Sequence, residues 1–346
     1  MSEKKPLRVA IIGISPGMGK LHLEAVLEHG AEVRAVCDTN PETLKTVSDE
    51  LGIPEERRFA DYHAFLNDPE LDAVIVATPD QVHREISTAF LDAGKHVMCE
   101  KPLALNREDM EAIVACARKH PQQKFMVGQI CRFTPAFVKA KEIIDAGTIG
   151  ELYYVESEYA HDYAKLLHAW RKDPNRHGVV GGGCHAVDLL RWYAGDPLEV
   201  FAYGAHKLLP EVSYDDATIS VLKFPNGIIG KVFVSTGCKR PYTMRTQLFG
   251  TKGTILCDNT SDHMTLYVVD KDGVDLAEPQ TLPIEIKNHN AGLEFEVFAK
   301  TIENDEPVAM DGVQGAKTIA CCLAIVESAK TGNTDVCTRL YSHHGL

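Results

Sequence analysis

The sequence predicts an α/β protein with an N-terminal doubly wound parallel sheet and a C-terminal α+β domain built on a large, mostly antiparallel open sheet. Three observations carry this. Short apolar strand patterns near residues 7–12, 32–37, 73–77, 96–99 and 124–128 alternate with helical stretches, and strands separated by helices pair in parallel through right-handed crossovers. After a linking helix at 135–146 the rhythm changes, and strand patterns follow one another at 152–160, 200–205, 217–224, 228–235, 243–249, 253–258 and 264–269. Turns such as Pro225-Asn226-Gly227 and Asp270-Lys271-Asp272-Gly273 join some of them, as hairpins of an antiparallel sheet require. Two helices, about 292–304 and 313–330, close the chain, and the domains are expected as residues 1–130 and 131–346.

Composition agrees with this division and excludes several partners. The length of 346 residues suits about two domains, and a hydrophobic content of 45% fits sizeable cores. With 36 Lys+Arg against 49 Asp+Glu the net charge is −13, which argues against a nucleic acid or an anionic membrane as partner. No run approaches the ~18 apolar residues of a membrane span. Met1-Ser2-Glu3-Lys4-Lys5-Pro6 is not followed by a hydrophobic signal core, so a cytoplasmic protein is expected. Ten cysteines are scattered singly apart from Cys321-Cys322, with no C-x-x-C. Cys37, Cys99 and Cys116 fall in apolar patterns, where a reduced cysteine acts as a small core residue. Neither a disulfide framework nor a metal site is expected.

The first element reads strand, turn, helix: Val9-Ala10-Ile11-Ile12, then Gly13-Ile14-Ser15-Pro16-Gly17-Met18-Gly19, then helical spacing over 21–27. A dinucleotide needs this arrangement because its pyrophosphate packs against unpaired N–H groups at a helix N-terminus. With Gly19 as last glycine, the usual spacing would put glycines where Ile14 and Pro16 stand, so Gly13 and Gly17 imply a turn lengthened by one residue. Such turns also serve as plain tight connections. The second strand ends in Asp38, near the ~20-residue offset at which an acid binds the adenosine ribose. Asp38 would also repel a 2′-phosphate, which favours NAD over NADP. The third strand stops at Thr78-Pro79-Asp80, where ligands of such sheets gather, although capping of the next helix accounts for Thr78 and Asp80 equally well. Candidate cofactor contacts are therefore Gly13, Ser15, Gly17, Met18, Gly19, Asp38, Thr78 and Pro79. The next strand runs His96-Val97-Met98-Cys99 into Glu100-Lys101-Pro102, and a lysine at the carboxyl end of a parallel strand beside a nucleotide site is placed to do chemistry. Arg132, after the last strand of this domain, either lines a substrate site or is ion-paired.

In the second domain the stretch 181–192 combines glycines with a helix. His185 and Asp188 are three apart and share a face, while Leu189, Leu190, Trp192 and Tyr193 supply packing surface. Oxidising a secondary alcohol requires a group that takes the hydroxyl proton as hydride leaves the same carbon, and histidine titrates near working pH. A partly buried histidine satisfied by Asp188 or a carbonyl is the plainer alternative. The loop before this helix carries His161, Trp170 and Arg171, which suit a polyhydroxylated ring, with Trp170 covering an apolar sugar face. A solvated charged loop explains each of them singly as well.

The chain resembles the glucose–fructose oxidoreductase/inositol dehydrogenase (Gfo/Idh/MocA) family. The resemblance rests on the turn ending in Gly19 with His22, on Ala77-Thr78-Pro79 with His83, on Gly94-Lys95-His96 running into Glu100-Lys101-Pro102, on Arg132-Phe133, on Gly147-Thr148-Ile149-Gly150, and on Gly181-Gly182-Gly183-Cys184-His185-Ala186-Val187-Asp188. It implies a Rossmann domain with NAD, contacts from His83, Glu100 and Lys101 at the cofactor, and Lys101 bonded to the reacting oxygen. It further implies His185 as acid/base, Asp188 orienting it or binding a neighbouring hydroxyl, a carbohydrate-like substrate, and a homo-oligomer formed through the open sheet. The fuller motif has an aspartate four residues before the histidine, where this chain has Gly181. The same fold also hosts glycosidases that use bound NAD transiently, and non-catalytic nucleotide-sensing regulators. Both stand as alternatives, the second weakened by the presence of Lys101 and His185.

Overall fold

Five short apolar runs and the dipeptide Arg58-Phe59 become the parallel strands β1 (Arg8–Ile12), β2 (Glu32–Cys37), β3 (Arg58–Phe59), β4 (Ala73–Val76), β5 (His96–Glu100) and β6 (Phe125–Gly128). Between them lie α1 (Met18–His29), α2 (Pro41–Glu50), α3 (His83–Asp92) and α4 (Arg107–Lys119). The structure is a computed structural model that describes residues 5–270, 273 and 275–335. The strands stand in the order β3-β2-β1-β4-β5-β6. Residues of β1, β4 and β5 are almost wholly buried, as strands covered by helices on both faces must be. Ile12 pairs with both Cys37 and Val76, and Val76 pairs with Cys99, so the strands end level. Strand order reverses between β1 and β4, and ligands of open α/β sheets bind at that reversal.

After α5 (Pro135–Asp145) come β7 (Leu152–Ala160), the short α6 (Gly178–Gly181) and α7 (Cys184–Ala194). Then follow β8 (Glu199–Ala205), β9 (Ala217–Lys223), β10 (Ile229–Ser235), β11 (Thr243–Gly250), β12 (Gly253–Asp258), β13 (His263–Val268) and β14 (Gln280–Pro283), and finally α8 (Ala291–Glu303) and α9 (Gly312–Thr331). The eight strands form a second sheet in the order β14-β13-β12-β11-β7-β10-β9-β8. Its pairs are antiparallel except β7 with β10, which run parallel. The turn at Pro225-Asn226-Gly227 joins β9 to β10 with φ of 60° at Asn226 and 77° at Gly227. Of the other expected turn, residues 271 and 272 lie outside the described residues. α7 lies against β7 and β10 and positions the helix expected to carry chemistry.

The chain divides into two compact units. One holds the residues up to Gln129 together with Asn290–Ala316, the other Ile130–His289 and the residues from Lys317 on. The contiguous division expected at residue 130 therefore missed a return: α8 packs on α1, burying Phe295, Phe298 and Ala299 completely. An apolar helix face shows in sequence that it will be covered, but not by which unit. The nine described cysteines are free thiols, and eight are buried. No helix among the described residues is long and apolar enough to cross a membrane.

Candidate functional site

In the first unit the chain turns after β1 at Gly13, where φ is +85° and a Cβ would stand 2.5 Å from the Ala77 carbonyl oxygen. Only glycine fits both conditions. α1 then starts at Met18 behind Gly17 with no side-chain cap, which leaves first-turn N–H groups for a ligand. The Asp38 carboxylate accepts hydrogen bonds from the backbone N–H groups of Ile14 at 3.1 Å and Asn40 at 2.9 Å, so the turn that contains Ser15 and Gly19 also orients the acid expected to hold a ribose. At the end of β4 the capping alternative is not realised: Pro79 precedes the 3-10 turn Asp80–Val82, Val82 precedes α3, and neither start has a side-chain cap. Thr78 Oγ1 is instead buried with no hydrogen-bond partner among the described residues. The same holds for both polar side-chain atoms of Gln129, just past β6. Orphaned polar atoms at two strand ends, an uncapped helix and a fixed carboxylate are the donor set that NAD requires.

His83 and Glu100, expected at the cofactor, are committed elsewhere. The His83 ring contacts two backbone carbonyls, Nδ1 to Pro102 at 2.9 Å and Nε2 to Thr78 at 3.1 Å, and so braces one strand end against the next. Burial works against a charged ring there, yet the nearby Cys99 and Asp80 and the Pro102 carbonyl raise its pKa to about 10. Two carbonyls accept simultaneously only from a ring protonated on both nitrogens. Glu100, 5% exposed, takes His22 Nε2 at 2.7 Å on one oxygen and the Lys101 N–H at 3.1 Å on the other. Burial pushes its carboxyl up, but His22 and the Lys101 charge hold it below the ordinary carboxylate range. Lys101, joined to Pro102 by a cis peptide, is half-buried, and its ammonium has no hydrogen bond or ion pair among the described residues. His22 and a buried acid on α8, Glu294, complete this cluster. The sequence reading assigned neither of them a role, although an acid on the same face as Phe298 and Thr301 marks an anomaly.

In the second unit, α7 presents His185, 2% exposed, against the Tyr159 ring at a centroid distance of 6.2 Å. The glycines before it make this approach feasible, since a Cβ on Gly182 would lie 2.5 Å from Tyr159 Cε1. Tyr159 donates or accepts at 2.8 Å with Tyr163 and at 3.2 Å with His161 Nδ1, and Tyr242 packs on both Tyr159 and His161. Burial pushes the phenols of Tyr159 and Tyr242 far up, so they stay neutral O–H groups. Sequence reading missed both tyrosines. For Tyr159 the signal was a hydroxyl-bearing ring on the inward face at the end of β7.

Asp188 does not orient His185. Its carboxylate goes to Arg132, bidentately at 2.7 and 2.9 Å, and to the Thr318 hydroxyl at 2.8 Å. The shared helical face was correct in spacing, but a guanidinium fork from a distant segment matches a carboxylate better than the imidazole one turn away. Arg132 is thereby used up as well, 11% exposed against 2% for Asp188, with its guanidinium 5.6 Å from the Trp192 ring. Trp170 carries the guanidiniums of Arg171 and Arg176 at 4.6 and 4.8 Å from its centroid, which limits the open sugar platform expected of it. Arg176 also accounts for Gly181: a Cβ there would lie 2.6 Å from Arg176 Cζ. The space of the family's aspartate holds a buried arginine.

A sheet prepared at its reversal for a dinucleotide, with a lysine one strand along, belongs to the nicotinamide-dependent oxidoreductases as a class. Comparison with known proteins makes this specific. Residues 7–129 match the oxidoreductase family with an NAD-binding Rossmann fold, and residues 137–256 match the GFO/IDH/MocA C-terminal domain. The chain belongs to the GFO/IDH/MocA family of oxidoreductases, and NAD is its cofactor. It is 29% identical over 324 residues to myo-inositol 2-dehydrogenase of Thermotoga maritima, covering 89% of this chain and 92% of that protein. It is 25% identical over 337 residues to inositol 2-dehydrogenase of Salmonella typhimurium, covering 95% and 96%. Among solved structures, levoglucosan dehydrogenase in complex with NADH matches in fold with a TM-score of 0.87 at 24% identity, covering 96% of this chain and 99% of that one.

Proposed function

We propose that the protein reversibly oxidises a secondary hydroxyl of a sugar, polyol or sugar derivative, with NAD as the acceptor. The observation that carries this reading is Lys101, whose ammonium has no hydrogen-bond or ion-pair partner among the described residues at the end of β5, while the turn around it is fixed by Glu100 and His83. Such a group donates a hydrogen bond to the alcohol oxygen and stabilises it as negative charge develops. His185, as the family resemblance implies, takes the hydroxyl proton. Bound NAD supplies the two-electron acceptor for the hydride that leaves the carbinol carbon. The names of the inositol dehydrogenases support a polyol as substrate class. The test is a panel of polyols and glycosides incubated with NAD, followed by NADH absorbance and product analysis. Glycoside cleavage without net NADH, or nucleotide binding without turnover of any compound, would replace this reading.

Two expectations sharpen it. Asp38 should favour NAD over NADP by at least ~1.4 kcal/mol, a tenfold ratio, since a phosphate beside a carboxylate is readily disfavoured by that amount. Titration of both cofactors checks this, and Asp38→Ala should narrow the gap. If His185 is the proton acceptor, only its neutral form works, so oxidation should rise with pH along a limb that His185→Gln lacks. A Gln variant with the same limb and most of its turnover would leave His185 a packing residue.

A homo-oligomer through the open sheet is part of this proposal. Tyr203 and Ile219 pair across β8 and β9 on the face shared by Val221 and Ile229, and these four are 66%, 43%, 54% and 56% exposed. An apolar stripe of this kind marks an interaction surface, and sedimentation velocity should find an assembly larger than one chain. A cytoplasmic location fits the nine described cysteines, which stand as free thiols.

A further inference from the structure

Glu294 of α8 is fully buried, and neither of its carboxyl oxygens has a hydrogen-bond partner among the described residues. A carboxylate sealed from water without a donor is unstable, and the ordinary escape is to keep its proton. One of its oxygens, one of Glu100 and a ring nitrogen of His22 all lie within 4.8 Å of one another. Groups at that separation are bridged by a single water. His22 Nδ1 is buried and also lacks a partner among the described residues, while Nε2 holds Glu100. Glu100 in turn accepts the Lys101 N–H.

We propose that Glu294 is a positioning residue for Lys101: a buried neutral acid that holds Glu100 ionised and aligned, so that Glu100 fixes the turn carrying the lysine. The inference rests on the role proposed above for Lys101. The groups around Glu294 divide the charge accordingly. Burial and the charge of Glu100 both push the Glu294 carboxyl well above its ordinary range, whereas His22 and Lys101 hold Glu100 below it against burial. Two carboxyls pushed apart in this way hold one proton between them. From α1, His29 meets the Phe295 ring edge-on at 5.1 Å and its charge bears on Glu296. On α8 itself, Glu296 is taken by Lys300 on an exposed face. His83 adds positive charge on the side of Glu100.

The sign of the pH dependence follows. A carboxyl whose folded pKa is raised contributes stability that is complete below its unfolded value and is lost as pH rises through the folded one. Thermal unfolding of the NAD-loaded full chain between about pH 6 and pH 10 should therefore show Glu294→Gln gaining on the native protein as pH rises. Parallel curves would overturn the proposal. In turnover, Glu294→Leu should lower kcat about tenfold with KM within about threefold, and Glu294→Gln should restore most of the rate. A Gln variant as slow as Leu would mean that an ionised carboxylate is required, and a Leu variant as fast as native would mean no positioning role; both sink the idea. If the Leu variant does not fold, the pH comparison with Gln decides alone. One equivalent of divalent metal by elemental analysis, lost in Glu294→Gln, would also overturn it. Near-native turnover of Lys101→Met would remove the catalytic reading of that lysine but leave the pH result on Glu294 standing.

Discussion

Lys101→Met is expected to lower turnover by about 100-fold or more while NAD affinity changes little, the usual scale for loss of a positioned polar group at the reacting atom. Methionine keeps the length and the apolar stem but cannot donate a hydrogen bond. The backbone around residue 101 is held independently of the ammonium, by Glu100 on its N–H and by His83 on the Pro102 carbonyl. The substitution thus isolates the head group, and Asp38 with the turn at Gly13 should still hold the cofactor. The check is steady-state turnover on the best polyol beside NAD titration by fluorescence. Near-normal turnover in a folded variant would end the catalytic assignment.

Asp188→Leu should cost about 3–5 kcal/mol of stability, because removing one partner of a buried ion pair leaves the other charge buried and uncompensated. Arg132 is too enclosed to turn its guanidinium to water, and Thr318 would lose its acceptor at the same time. A second change, Arg132→Met, should recover much of the loss, since apolar replacement of a whole buried pair is often neutral or better. Denaturant midpoints of the two single variants and the double variant check this. A loss below about 1 kcal/mol on Asp188→Leu would show that the pair carries no such weight.

What could be read in the sequence and what could not divide along a physical line. Strands and helices with several periods of pattern were legible, so β1, β2, β7 and α5 fall where the apolar spacing put them. The two-residue β3 and the marginal β14 carry too little pattern to be seen. Pairing over long separations was not legible either: β7 beside β10 in parallel, α8 returning to α1, and Arg132 reaching Asp188 across 56 residues. Each depends on complementary surfaces that meet only in the fold. For the candidate site, motif and strand end singled out Lys101 and Asp38, whereas the contacts of His22 and His83 and the burial of Glu294 show only in the fold.

The arginine packed beside Gly181 has a bearing on how this lineage can change. Because the Arg176 guanidinium fills the volume that a side chain at 181 would need, a substitution at 181 obliges that guanidinium to move, and the two positions are coupled. A carboxylate at 181 would meet that guanidinium at close range and pair with it, which would draw the guanidinium away from the Trp170 ring. Glycine at 181 is thus one half of a two-residue character. Relatives that carry a larger residue at this position should also differ at the position of the arginine.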